Sequence, residues 1–442
     1  MPCGEGTKFK DTEIGLIPES WEIKSVNSFC SKITSGGTPS RSNPEYWING
    51  TIPWLKTQEL NDGNIYDSEE RITQKGLENS SAKLFAGNTV LMAMYGATVG
   101  KLGILRNEAT TNQAFCAMIV DNTIADYRFL FYSLLSRRDK LINLASGAAQ
   151  QNLNQDIIKD FLLPFPSLPE QNAIAKCLSD LDAKVELNQQ MNKTLEAVGA
   201  AVFRRWFVDF EFPDGEGKPY RSSGGEMVHN EKLGKEVPKD WKVVEITEVA
   251  LIVDCLHSKK PRRTETGPVL LQVFNIDKTG YLDLSDPFNV SAEVYKFWTR
   301  NIEVKGGDCV ITNAGRVGAI AQIPEESQFG IGRNMTAIRP NKISPTYLIN
   351  YLLSKYGFDE IQKNVDTGTI LDSLNVKGII KIKILMPPQT ILDQYENFAR
   401  PLRKRIEINN NQAFTLSGLR DRLLPRLMSG KIRVPVVKEM EM

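Results

Sequence analysis

The sequence predicts an α+β protein made of two related globular domains and two long helices, the helices paired as an antiparallel coiled coil about a pseudo-twofold axis. Three observations lead there. Matching segments recur in the same order at an offset of about 220 positions; each half carries apolar strand-like runs ending in glycine-rich turns; and each half closes on a heptad-patterned stretch.

Taken in order, the first match is "GLIPESWEI" with Gly15, Pro18 and Trp21 against "GKEVPKDWKV" with Gly234, Pro238 and Trp241. Next, "AGNTVLMAMYGATVG" parallels "GGDCVITNAGRVG", with Gly87 and Val90 answered by Gly307 and Val310. Both read as an apolar strand running into a glycine turn. "YRFLFYSLLS" and "PTYLINYLLS" read as apolar helices ending at Ser136 and Ser354, and Leu153-Asn154 is answered by Leu374-Asn375.

After Pro169 and Pro388 the period becomes helical. Ile174, Leu181, Asn188, Leu195 and Val202 fall every seven residues, as do Tyr395, Leu402, Asn409, Leu416 and Leu423. Leu178, Val185, Met191 and Val198 widen the first stripe, and Phe398, Ile406 and Leu419 the second. The first helix is expected to end near Phe207, before "FPDGEG", and the second at Pro425 and Gly430. Roughly 36 residues make a rod of about 54 Å, too long to cap one domain of ordinary size, so the rods are expected to pair with each other. The expected layout is a first domain over 1–168, a helix over 169–210, a Gly, Ser and charge-rich linker over 211–236, a second domain over 237–388, a second helix over 389–430 and a tail over 431–442. Asn188 and Asn409 take core positions near the middle of their rods, where a polar residue fixes register at a cost in stability. They are expected to meet where the helices cross.

A chain of 442 residues exceeds a single core. Its 41% hydrophobic and 24% charged residues sit at globular averages, with no run of membrane-spanning length and no leader-like start, so a cytoplasmic protein off the membrane is expected. The six cysteines, Cys3, Cys30, Cys116, Cys177, Cys255 and Cys309, form no CxxC pair and read as single thiols rather than disulfides or a metal site. A net charge of +1 means that any basic surface is local.

Two related domains on a rigid spacer amount to a dimer fused into one chain. Dimers that bind DNA read two half-sites at a spacing their own geometry sets. With scaffold elements matched and intervening sequences diverged, two different half-sites follow.

Over nearly its whole length the chain resembles the specificity (S) subunit of type I restriction-modification systems. The resemblance is carried by Pro18 and Trp21, "SGGTPSRSNPEYWINGTIPWLKTQEL" (35–60), "YGATVGKLGIL" (95–105), "TNQAF" (111–115) and "LPEQNAIAKCLSDLDAKVELNQQMNKTL". The second half follows the plan with weaker motifs, "NAGRVGAI" and "GRNMTAI". The resemblance implies that each globular domain is a target-recognition domain for double-stranded DNA and that the helices are conserved spacers. It also implies recruitment of two modification subunits and then restriction subunits. S-adenosylmethionine, ATP and magnesium would belong to those partners, with no cofactor in this chain.

Catalytic motifs are missing. "NPEY" (43–46) has Glu45 where a methyltransferase motif has its second proline, and reads as a turn. "GATVGKL" is one residue short of a phosphate loop and carries Leu102 where Ser or Thr would reach magnesium. Only His229 and His257 exist, and neither stands in a metal or triad pattern, so no enzyme activity and no metal are expected of the chain alone. The competing reading is an adaptor that organises partners through its coiled coil with little DNA specificity.

Phosphates call for Lys, Arg, hydroxyls and free N–H groups, and base edges for Arg, Lys, Asn and Gln. In the first domain that selects Ser35, Gly36, Gly37, Thr38, Ser40 and Arg41, then Lys56, Thr57 and Gln58, then Tyr95, Thr98 and Lys101. The glycines here suit a tight hairpin as well as a DNA approach, and both lysines suit plain solvation. In the second domain "HSKKPRR" supplies Lys259, Lys260, Arg262 and Arg263 at the position of the first domain's "SGGTPSR", and Asn313, Arg316, Arg333 and Asn334 follow. Trp47, Trp54 and Trp298 read as packing residues.

Overall fold

The computed structural model describes residues 7–145, 152–231, 233–276, 279–367 and 372–435. The chain divides into two compact units, Met1–Glu186 with Thr415–Met442, and Leu187–Phe414. Each unit holds one globular domain together with half of each long helix.

In the first unit one sheet runs in the order Cys30–Thr34, Phe115–Val120, Val90–Ala93, Leu102–Leu105 and Gly63–Ile65. Val90–Ala93 is buried at every residue, which explains an apolar run without alternation. A second sheet orders Glu70–Ile72, Ile52–Leu55, Ala109–Thr111 and Leu84–Phe85, with Ile52–Leu55 and Ala109–Thr111 parallel. Helix Tyr127–Ser136 starts where the Asp126 carboxylate accepts the Arg128 and Phe129 N–H groups at 2.7 and 3.2 Å. It lays Phe129, Leu130, Phe131 and Leu134 into the main core.

The second unit repeats the plan with a shorter version of each sheet. Ala250–Asp254, Met335–Pro340, Cys309–Thr312 and Ile320–Gln322 form one sheet; Leu270–Leu271, Gln328–Ile331 and Val304–Lys305 form the other, with the first two parallel. The pair Glu22–Ser25 and Leu162–Phe165 of the first unit is answered by Lys242–Glu245 and Lys383–Met386. Gly63–Ile65 and Glu70–Ile72 have no counterpart among the described residues.

The long helices span Leu168–Phe207 and Gln389–Met428, 40 residues each. The second passes through Pro401 and Pro425 and ends before Gly430, whose φ of 69° is the left-handed conformation that glycine takes freely. Within each unit the halves run antiparallel. In the first, Arg420 Nη1 donates to Asp182 Oδ1 at 2.7 Å, and Ile174 and Leu178 share a core with Leu424, Leu427 and Met428. In the second, Asn188 Nδ2 donates to the Asn409 carbonyl at 3.4 Å and to Gln412 Oε1 at 3.3 Å, while Phe203 packs on Tyr395 at 6.0 Å. The supporting stripe is narrower than its sequence pattern: Val198, Phe398 and Leu419 stay 37 to 40% exposed.

The matched tryptophans are closed differently. Trp21 Nε1 donates to Glu170 Oε2 at 3.1 Å, and Arg433 Nε reaches Glu170 Oε1 at 2.7 Å, so the segment after the second helix seals the first domain. Trp241 is boxed by Phe207, Phe210 and Phe212 at 5.8, 5.4 and 5.2 Å. The segment read as a linker therefore carries packing residues, and its end forms a hairpin, Met227–Asn230 with Lys235–Pro238.

Candidate nucleic-acid interface

In the first domain the loop after Cys30–Thr34 folds down on the second sheet. A Cβ on Gly36 would collide with the Thr111 carbonyl and one on Gly37 with Ser81, so both glycines allow close backbone packing. Trp54 Nε1 donates to the Gly37 carbonyl at 3.0 Å and Trp47 Nε1 to that of Ser40 at 3.1 Å. The Arg41 guanidinium lies 3.6 Å from the Trp47 ring centroid and 4.8 Å from that of Trp54, and bonds Glu70 at 2.5 Å. Lys56 Nζ meets the same carboxylate at 3.0 Å. The Arg41 hydrogen bond, with Lys56 in support, holds the Glu70 carboxyl below its ordinary range. Thr38 Oγ1 donates to Gln113 Oε1 at 2.6 Å, and Ser35 Oγ accepts from Gln155 Nε2 at 2.5 Å. Ser40 bonds Ser42, and Thr57 opens the short turn Thr57–Glu59. The structure thus gathers Gly37, Ser40, Arg41 and Lys56 around Glu70 and the two indoles, while Ser35 and Thr38 are held by Gln155 and Gln113.

Tyr95, Thr98 and Lys101 belong to another feature. They sit on the turn joining Val90–Ala93 to its antiparallel neighbour Leu102–Leu105, where Gly96 and Gly100 take φ of 86° and 78°. Lys101 Nζ bonds Asp62 Oδ2 at 3.0 Å, and Arg138 pairs with the other oxygen. Burial opposes ionisation of Asp62, but the Leu102 N–H, Lys101 and Arg138 together hold it below the usual carboxylate range. The glycines form a tight hairpin, and the lysine is a counter-ion on its flank.

In the second domain Lys259, Lys260, Arg262 and Arg263 are exposed on the loop after Ala250–Asp254. Arg263 pairs with Asp286, and Lys260 Nζ lies 4.9 Å from the Phe288 ring centroid. Lys260, Arg333 and Asn334 converge on one cleft of about 370 Å³, which Gln272, Phe274 and Trp298 also line. Asn313 stands apart as an internal strut, its Nδ2 donating to Thr336 Oγ1 at 3.0 Å and the Leu374 carbonyl at 2.7 Å. Arg316 Nη1 binds the Ile276 carbonyl at 3.1 Å beside the turn of Gly315 and Gly318.

Among the described residues, Asp254, Cys255 and His257 bring metal-capable atoms within 4.8 Å of one another. What they do here is shape the loop. Asp254 Oδ1 takes the Cys255 N–H at 2.9 Å, Oδ2 meets His257 Nε2 at 3.0 Å, and burial pushes the Cys255 thiol up. In the helix pair, Asn409 Nδ2 donates to Asn192 Oδ1 at 2.8 Å, while Asn188 Oδ1 and Asn409 Oδ1 are buried without a partner. Sequence reasoning missed Glu70, Asp62 and Arg138, whose partners lie 29 to 76 positions away, and passed over Gln272 and Phe274, which no charge run marks.

A family model described as the type I restriction modification DNA specificity domain matches residues 18–197. The MjaIX specificity subunit of Methanocaldococcus jannaschii is 30% identical over 97% of both chains, and the MjaVIII specificity subunit of the same organism 25% identical over 96% of both. An S subunit of a type I restriction-modification system from M. genitalium shares the fold, with a TM-score of 0.62 at 18% identity over 92% of this chain and 96% of that one. Among the described residues no helix is long and apolar enough to cross a membrane.

Proposed function

The chain belongs to the type I restriction enzyme specificity subunits, and from that premise we propose that each globular domain reads one half of a bipartite, asymmetric DNA target. The observation that carries this reading is the repeat itself: one strand framework twice, with different side chains on the loops it presents. A subunit reading two identical half-sites would gain nothing from that divergence.

On this reading the loops 35–41 and 257–263 are phosphate-positioning and base-approaching surfaces. Their arginines and lysines supply the sequence-independent attraction, and neighbouring polar side chains supply discrimination. The two long helices act as the spacer that sets the gap between half-sites, with Asn188 and Asn409 marking their register. The chain is the recognition member of a cytoplasmic complex, not its catalyst. Methyl transfer and DNA cleavage fall to two modification subunits and to restriction subunits, which would hold S-adenosylmethionine, ATP and magnesium and would dock on the helices.

The test is domain exchange. Replacing residues 1–168 by the matching domain of a relative with another target, with methylated sites mapped across host DNA, is expected to change one half of the target and leave the other half and the gap intact. A target that does not change, or one that changes in both halves, defeats the reading.

A further inference from the structure

One small device occurs in both domains with the same backbone and different side chains. In the first, Leu55 pairs in parallel with Thr111, the Asn112 N–H bonds the Leu55 carbonyl at 3.1 Å, and the turn Thr57–Glu59 follows, with Glu59 Oε1 capping the Lys56 N–H at 2.7 Å. In the second, Leu271 pairs in parallel with Ile331, the Gly332 N–H bonds the Leu271 carbonyl at 2.8 Å, and the turn Val273–Asn275 follows, with Asn275 Oδ1 capping the Gln272 N–H at 2.9 Å. This register equates Lys56 with Gln272, Gln58 with Phe274, and Gln113 with Arg333. Exposure agrees: Lys56 and Gln272 are half-buried, and the other four are exposed. The framework leucines are kept, while all three outward stations differ in chemistry.

We propose that these matched stations, Lys56, Gln58 and Gln113 in one domain and Gln272, Phe274 and Arg333 in the other, are the base-reading edge of each target-recognition domain. The inference rests on the DNA-reading function proposed above and assigns it to residues. Solvent-facing stations that differ in chemistry on a repeated backbone are what two readers of different sequences require. The chemistry of the lead stations is opposite. Gln272 spends its Nε2 on the Leu270 and Leu271 carbonyls at 3.0 and 3.2 Å, so only its Oε1 remains for a ligand. An acceptor fixed in this way reads an exocyclic amino group, adenine N6 or cytosine N4. Lys56, tethered by Glu70 at 3.0 Å, has only donors, and it reads guanine O6 and N7 or thymine O4. Phe274, 43% exposed, offers a ring edge to a thymine methyl; Arg333 beside it is a base-edge donor, and Lys260 lines the same cleft as a phosphate-facing cation.

The experiment selects a randomised duplex pool on the full chain assembled with its modification subunits, comparing wild type with Lys56→Ala, Gln272→Ala and Phe274→Ala. Phe274→Ala changes an exposed side chain and guards against loss of fold. Lys56→Ala is expected to relax one position of one half-site by about tenfold, and the other two to relax the opposite half, each leaving the remainder unchanged. Wild-type selection is expected to give adenine or cytosine opposite Gln272 and guanine or thymine opposite Lys56. A wild type that selects no bipartite sequence sinks the proposed function itself. A wild type that selects one, with variants that leave both halves unaltered or weaken both equally, overturns the assignment of these stations alone.

Discussion

At the scale of single residues, Lys235 stands out. Its ammonium lies 3.6 Å from the Tyr356 ring centroid and 5.2 Å from that of Phe210, and burial pulls its pKa down to about 8. An unfolded lysine titrates near ~10.4, so between those values the folded chain binds fewer protons than the unfolded one. Stability from this group therefore rises with pH across that window and is lost as the pH falls through about 8. Buried Tyr347, Tyr351 and Tyr395 work the other way above about pH 10, where burial of their phenols favours the protonated form that an unfolded chain gives up. Thiols such as Cys30, Cys116 and Cys309, pushed up by burial, oppose the lysine from ~8.5 upward, where an unfolded chain ionises them, so its effect is read as the difference between wild type and a variant. Lys235→Met is expected to raise the melting temperature at about pH 7.5 by more than at about pH 9.5; an equal change at both would show that the amine is solvated.

At the scale of elements, the helix pair of the second unit carries a polar layer whose energetics can be tested. Asn188 and Asn409 are 1% and 0% exposed, and each leaves its Oδ1 unpartnered. A buried acceptor without a donor costs about 1–3 kcal/mol, so such a layer persists for register rather than strength. Replacing both by leucine is expected to raise the melting midpoint by several degrees. Either single replacement should do less, since the asparagine that remains keeps its own buried, unpartnered Oδ1. A double-mutant cycle followed by calorimetry measures the coupling, and a double variant less stable than wild type contradicts the account. This layer was legible in the sequence because helical period is local: seven-residue spacing put Asn188 and Asn409 on the core stripe without knowledge of the partner. Strand pairing was legible only as a repeat. Which strand lies beside which depends on partners such as Trp54 and Thr110, far apart in sequence. The counter-ions Glu70 and Asp62 were illegible for the same reason, and Val198, Phe398 and Leu419 were over-assigned because an apolar residue near a stripe looks the same exposed or buried.

At the scale of the whole molecule, chain order and folding units do not coincide. The first unit begins at the N-terminus but is completed by residues after Phe414. Leu424, Leu427 and Met428 are 8%, 1% and 3% exposed in its core, and Arg433 is the ion-pair partner of the buried Glu170 that anchors Trp21. Burying three such side chains contributes about 1.5–3 kcal/mol each, against a total of about 5–15 kcal/mol for a domain. Losing them removes most of the first unit's margin, and Glu170 is left as a buried carboxylate without its cation. A chain stopped after Phe414 is therefore expected to exchange its amide hydrogens rapidly throughout Val90–Ala93 and Phe115–Val120, although every residue of those strands is present. Cys309–Thr312 and Met335–Pro340, whose unit is complete within Leu187–Phe414, should keep the protection they have in the full chain. Hydrogen exchange read by mass spectrometry resolves the two sets of peptides in one sample. Equal protection of both sets would mean that the N-terminal domain closes its core without the second helix, and that the C-terminal segment is a dispensable lid rather than part of that domain.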